Sequence, residues 1–108
     1  MLILFDHGTP APLIPFLKGH IVTKARDRGW DRISNGELLK AAEATGFDLL
    51  LTTDKGIRYQ QNLTGRKIAI VVLGNSRWQM VRMYLDRIAS AVNAAVPGSY
   101  VEVEIPFK

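Results

Sequence analysis

Two aspartates each follow an apolar run of the sequence. Asp6 comes directly after residues 2–5, and Asp54 follows residues 47–51 by way of two threonines. Short apolar runs that end at polar residues are typical of buried parallel strands. Because the carboxyl ends of parallel strands meet at one edge of a sheet, we expect both carboxylates to lie on the same rim.

A third acid, Glu37, stands in the first turn of the helix predicted between those two strands. Three carboxylates in one crevice would form an oxygen-rich site of the kind that Mg²⁺ or Mn²⁺ prefers. Such an ion polarises a phosphodiester and generates a hydroxide nucleophile. Asp6, Glu37 and Asp54 therefore predict metal-assisted hydrolysis of phosphate esters.

The sequence also gives two of these acids a structural alternative. Asp54 precedes a predicted helix that starts at Lys55 and could cap it, and Glu37 completes the capping box Ser34-x-x-Glu37. Asp6 ends a predicted strand, where no helix spacing accounts for an acid. It is therefore the strongest of the three candidates.

Basic residues follow the same predicted rim. Lys55 and Arg58 come shortly after Asp54, and Arg77 follows the fourth predicted strand. Arginine and lysine contact RNA phosphates, so these three are the candidate substrate-binding residues. The chain has 14 Lys and Arg against 10 Asp and Glu, a formal charge of +4, which favours a polyanionic partner. Trp78, beside Arg77, is either a stacking platform for a base or a core residue.

Strands and helices alternate along the chain. The strands are predicted at 2–5, 20–23, 47–51, 67–73 and 100–105, and the helices between Thr9 and Gly19, from Ser34 to Gly46, over 55–63 and over 76–96. Parallel strands require crossover connections, which are usually right-handed helices. The order therefore predicts one domain over residues 1–108, a three-layer α/β/α sandwich around a mainly parallel sheet.

Several classes of protein are excluded or disfavoured by composition. The chain has no cysteine, which removes disulfides, thiolate metal sites and cysteine nucleophiles. Two histidines are too few for a zinc site, and no P-loop or G-x-G-x-x-G supports a nucleotide cofactor. The apolar runs are far shorter than the roughly 20 residues that cross a bilayer, and no basic leader precedes the first of them. We therefore expect a cytoplasmic protein without a membrane partner.

Three segments resemble the PIN-like (PilT N-terminus) domain family, and the resemblance covers essentially the whole chain. They read LFD at 4–6, NGELL at 35–39 and LLTTDK at 50–55. PIN domains are compact α/β/α nucleases that depend on Mg²⁺ or Mn²⁺, and many small bacterial members are ribonuclease toxins paired with an antitoxin. The resemblance assigns the metal to Asp6, Glu37 and Asp54, and it implies RNA, a protein antitoxin and a homodimer as partners.

The sequence departs from the short branch of the family that it most resembles. There, Glu-Asn commonly follows the first acid, and a further acid stands two residues after the Thr-x-Asp acid; here those places hold His7-Gly8 and Gly56. Fewer carboxylates weaken cation binding. A catalytically silent module that binds RNA or protein is therefore the alternative hypothesis. A small metal-dependent phosphatase is a third, and the helix predicted over 76–96 is the candidate dimer interface.

Overall fold

Five parallel strands form the centre of the fold. The computed structural model describes residues 1–107, apart from the side chain of Gln60. The strands are β1 (Leu2–Phe5), β2 (Ile21–Lys24), β3 (Leu49–Thr52), β4 (Ala69–Leu73) and β5 (Tyr100–Val103). Every residue of β3 and β4 is buried, as expected for strands covered on both faces. The predicted α/β fold with a mainly parallel sheet is thereby confirmed.

Helices cover both faces of the sheet. The α-helices are α1 (Asn35–Thr45), α2 (Ile57–Gln60), α3 (Trp78–Val81) and α4 (Leu85–Ala94), and 3₁₀ turns span Ala11–Phe16, Ala25–Arg28 and Arg82–Tyr84. One core cluster joins α3, α4 and the first 3₁₀ turn to one face of the sheet. The second cluster joins α1 and α2 to the other face. The molecule therefore has the three layers that the sequence predicts.

The strand order places a crevice between β1 and β3. The order is β2-β1-β3-β4-β5, and every adjacent pair is parallel. The chain leaves β1 toward β2 on one side, whereas β3 lies on the other side of β1. The turn after β1 packs on one face, through Leu13, and the helix after β3 packs on the opposite face, through Ile57. This divergence makes a topological switch point, where α/β sheets commonly bind ligands.

The last crossover differs in hand from the one before it. The chain moves in the same direction across the sheet from β3 to β4 and from β4 to β5. However, the connection from β3 to β4 packs on one face of the sheet through Ile57, and the connection from β4 to β5 packs on the other face through Ile88 and Val92. Two crossovers in one direction on opposite faces have opposite hands. The usual right-handed rule therefore does not hold for both connections.

Three predicted helices take a different form in the structure. The helix predicted over 55–63 is limited to the single turn of α2, Ile57–Gln60. The segment after β1 is a 3₁₀ helix over Ala11–Phe16 that contains Pro15, and its cap position is Pro10 instead of Thr9. The predicted helix over 76–96 is divided into α3, a 3₁₀ turn and α4, because Tyr84 leaves the helical region at φ −124° and ψ 26°. No helix within residues 1–107 is both long and apolar enough to span a membrane.

Candidate active site

The hydroxyl of Thr52, the last residue of β3, connects the two predicted aspartates. Its Oγ1 donates to Asp6 Oδ2 at 2.5 Å and accepts from the backbone N–H of Asp54 at 3.1 Å. Thr52 has no solvent exposure, because β3 lies in the middle of the sheet. The predicted meeting of both acids on one rim, at the switch point between β1 and β3, is present in the structure.

Asp6 is held in one orientation by the chain around it. Its backbone N–H continues the β1–β3 ladder to Leu51 O at 3.0 Å, which fixes the main chain. Its Oδ1 accepts from the backbone N–H of His7 at 2.6 Å, and its Oδ2 accepts from Thr52. A carboxylate has about four acceptor positions, so about half remain available to a ligand. The half-buried Asp6 is therefore both oriented and capable of further binding.

Asp54 is hydrogen-bonded on both carboxylate oxygens. Oδ1 accepts from the backbone N–H of Gly56 at 2.9 Å, and Oδ2 accepts from Asn35 Nδ2 at 2.6 Å. The first bond stabilises the turn that leads into α2. Asp54 does not cap that helix as the structural alternative predicted, because α2 starts at Ile57 and its cap position is Gly56. The second bond ties the end of β3 to the start of α1. Like Asp6, Asp54 keeps unused acceptor positions on both oxygens.

Glu37 is placed differently from the two aspartates. Its Oε1 accepts from Ser34 Oγ at 3.1 Å and from the Ser34 backbone N–H at 3.4 Å, while Ser34 Oγ accepts from the Glu37 N–H at 3.2 Å. This is the capping box that the sequence offered as the structural alternative. Residues two apart on a helix point about 200° away from each other. Since Asn35 faces Asp54, Glu37 is directed elsewhere.

Asp6 and Asp54 lie on either side of the Thr52 hydroxyl, which bonds the carboxylate of the first and the backbone N–H of the second. Within residues 1–107, no three side chains of histidine, aspartate or glutamate are grouped closely enough to hold a metal ion together. Mg²⁺ in proteins is often bound by one or two carboxylates, with water filling its other positions. Asp6 and Asp54 fit that pattern, and their hydrogen bonds to Thr52 and Asn35 are the outer-shell support that orients metal-binding carboxylates.

Gly8 brings the loop after β1 against the loop after β3. A Cβ atom on Gly8 would lie 2.7 Å from Thr53 Oγ1, which is closer than real contacts allow. A larger residue here would displace the threonine that precedes Asp54. Glycine at this position therefore permits close packing of the two loops at the site.

The three predicted substrate-binding residues occupy separate places. Lys55 is exposed beside the site, with its Nζ 4.6 Å from the ring centroid of Phe107. Arg77 is exposed at the start of α3, and its backbone N–H donates to Asn75 Oδ1 at 2.9 Å. Arg58 instead lies 5.7 Å from the ring of Tyr100, the first residue of β5. That contact is at the amino end of the strand, away from the rim.

A small cavity opens from Asp6 toward β2. It has a volume of about 210 Å³, and its polar lining includes His7, Lys24 and Arg26 beside the Asp6 carboxylate. Lys24 reaches it because it ends β2 in register with Phe5 of β1. Sequence reasoning missed both basic residues. The sequence did offer one signal: Lys24 directly follows the strand predicted over 20–23, as Asp6 follows its own predicted strand.

Trp78 packs into the core, which decides between its two interpretations. It lies against the core cluster that contains α3 and α4, and its ring centroid is 6.0 Å from that of Phe16. A half-buried ring in this position supports helix packing more than base stacking.

The fold and the site together define an all-parallel α/β protein with two supported carboxylates at its switch point. Comparison of the chain with models of protein families, with curated proteins and with solved structures found no match.

Proposed function

We propose that this protein is a metal-dependent endoribonuclease of the PIN-like type. The observation that carries the proposal is the Thr52 hydroxyl shared between Asp6 and Asp54 at the switch point of the sheet. Supported carboxylates at this place are suited to a hard divalent cation. The resemblance of the three sequence segments to PIN domains supports the same conclusion.

In this proposal Asp6 and Asp54 hold Mg²⁺ or Mn²⁺, and Glu37 remains in the capping box unless the helix start rearranges. The bound ion supplies Lewis-acid activation of a phosphodiester and of water. Lys55 and Arg77, exposed on the rim, contact the RNA backbone. The charge of +4 assists the approach of RNA. We propose further that the protein acts in the cytoplasm as the toxin of a toxin–antitoxin pair.

Cleavage of a mixed-sequence single-stranded RNA tests the proposal. The reactions contain Mn²⁺ or EDTA, with the wild type, Asp6→Asn and Asp54→Asn side by side. We expect cleavage only by the wild type with Mn²⁺, with a loss of about a hundredfold or more in each variant, since a site ligand matters at least as much as its support. Asp48→Asn is the matched control, because Asp48 also accepts a backbone N–H, from Leu2 at 2.8 Å, at the opposite edge of the sheet.

The controls also decide what a positive result means. Cleavage that survives EDTA, or equal cleavage by Asp54→Asn, would refute the assignment of the acids. Each variant is first shown to unfold cooperatively, because Asp6 and Asp54 also hold the loops together. Asparagine keeps an acceptor oxygen at both positions, so we expect the fold to survive.

A catalytically silent module that binds RNA or protein is the second candidate. It is favoured by Glu37, whose carboxylate serves the start of α1, and by the grouping of only two acids within the described residues. Thermal unfolding in rising Mn²⁺ separates the two proposals. An ion that binds the native state adds about 2.7 kcal/mol at a hundred times its dissociation constant. A melting temperature that does not change with Mn²⁺, together with no cleavage, would favour the silent module.

A further inference from the structure

The cavity between the carboxyl ends of β1 and β2 has walls of opposite charge. Asp6 and His7 line it from the loop after β1, and Lys24 and Arg26 line it from the end of β2 and the turn that follows. Its volume of about 210 Å³ equals that of roughly seven liquid water molecules. This space admits a phosphate group with part of a sugar.

The basic wall has no partner within the described part of the chain. Lys24 is half-buried, and neither it nor Arg26 forms an ion pair with a carboxylate of residues 1–107. Two cations without a counter-charge favour an anionic ligand in the cavity that they line. Asp6 lines the same cavity, but its hydrogen-bonded carboxylate forms no ion pair with Lys24.

We propose that this cavity binds a backbone phosphate of single-stranded RNA, with Lys24 and Arg26 as its cations. The inference rests on the proposed ribonuclease function, since it places the substrate chain between the β2 end of the rim and the acids. Asp6 then lies beside the bound phosphate, on the side that faces β3. With a phosphate bound in the cavity, the RNA backbone would cross the site from Lys24 past Asp6 toward Asp54.

Binding without metal tests the inference apart from catalysis. The probe is a labelled 12-nucleotide RNA in EDTA, followed by fluorescence anisotropy at several salt concentrations. We expect Lys24→Gln to weaken binding about tenfold, as loss of a charge-assisted bond does. The negative slope of log affinity against log salt should also become shallower by about 0.7, the value for one single-strand phosphate contact. Arg26→Gln, at an exposed position, is the second variant and does not threaten the fold.

Lys18→Gln is the matched control. Lys18 is exposed and precedes β2, so its substitution makes the same change of charge at the opposite edge of the sheet. Equal weakening in Lys18→Gln and Lys24→Gln would overturn the inference, because only net charge would then matter. Under that outcome, RNA cleavage with Mn²⁺ leaves the ribonuclease proposal standing.

Two further arms separate the source of the phosphate. Inorganic phosphate and uridine 5′-monophosphate are titrated with the wild type and Lys24→Gln. Binding of these small anions through Lys24, with no binding of the 12-nucleotide RNA, would overturn the RNA backbone as the ligand of the cavity, while cleavage with Mn²⁺ would still decide the ribonuclease proposal. A wild type that binds neither RNA nor phosphate refutes the cavity as an anion site.

Discussion

Replacing Thr52 by valine removes the hydroxyl between the two aspartates while keeping the shape of the side chain. The hydroxyl is fully buried, donates to a charged acceptor, and accepts from a backbone N–H. Valine can do neither. The Asp6 carboxylate loses a donor, and the Asp54 N–H loses its acceptor. We therefore expect Thr52→Val to destabilise the native state even though it keeps the branched shape of the side chain.

The size of the effect follows from the two bonds. A hydrogen bond to a charged group contributes about 1.5–3 kcal/mol, and one between neutral groups about 1 kcal/mol. Together they give a loss of about 2.5–4 kcal/mol in the free energy of unfolding. In a domain of this size 1 kcal/mol corresponds to about 4–8 °C, so the melting temperature should fall by about 10 °C or more. Urea and thermal unfolding of the purified protein measure both quantities.

Thr9→Val is the matched comparison. Thr9 is also buried, and its hydroxyl donates at 2.9 Å to an uncharged acceptor, the carbonyl of Leu51. We expect this variant to lose only about 1 kcal/mol. If Thr9→Val costs as much as Thr52→Val, the charge on Asp6 does not strengthen its bond. The account of the site as a supported carboxylate pair would then be refuted.

Two other predictions concern ionisation. Burial raises the pKa of Glu43, but hydrogen bonds from the Lys67 backbone N–H and from Arg66 outweigh it, so the pKa lies below 4.5. Its stabilisation is therefore present above that value and lost as pH falls through the native pKa, and Glu43→Gln should flatten this acid limb of the unfolding curve. Burial, followed by the hydrogen bond to Glu102, raises the pKa of Tyr100 to about 12. Tyr100 therefore favours the folded state below pH 10 and loses that contribution as pH rises toward 12. Absorbance titration should show one late tyrosine, and Glu102→Gln should bring it closer to the ordinary value; an unchanged titration would contradict the assigned cause.

The positions of Asp6 and Asp54 could be predicted because they depend on little beyond strand ends. Each acid follows a buried strand, and β1 and β3 are neighbours in the sheet. Any parallel arrangement places the carboxyl ends of neighbouring strands at one rim. The capping box was equally accessible, since Ser34 and Glu37 have the required spacing and nothing distant enters it.

The place of Lys24 depends on strand order, which the sequence does not contain. Lys24 reaches the cavity only because β2 pairs with β1 in a register that sets Lys24 opposite Phe5. Asn35 has a local signal, because it lies about 200° from Glu37 around α1 and the two cannot both face Asp54. The capping box fixes Glu37, so Asn35 is the residue left to face the rim.

The apolar periodicity of residues 76–96 does not reveal that the predicted helix is divided. Val81, Leu85, Ile88 and Val92 keep helical spacing across the 3₁₀ turn at Arg82–Tyr84. The break lies in the backbone of Tyr84, where neither proline nor glycine signals it. Apolar spacing indicates only which side chains face the core. Three of the four belong to the core cluster, and Leu85 packs against it.

Stability and function make different demands on the residues of this site. Thr52 and Asn35 satisfy hydrogen bonds of the fold, so a protein without catalysis would still benefit from keeping them with Asp6 and Asp54. Lys24 is different, because its side chain is half-buried and forms no ion pair with a carboxylate in the described part of the chain. Its charge therefore contributes no ion pair to the stability of the fold. Lys24→Met should therefore leave the free protein as stable as the wild type, or more stable, in low phosphate. It should also remove any stabilisation that added phosphate or RNA gives the wild type. A destabilised Lys24→Met protein would instead assign Lys24 to the fold.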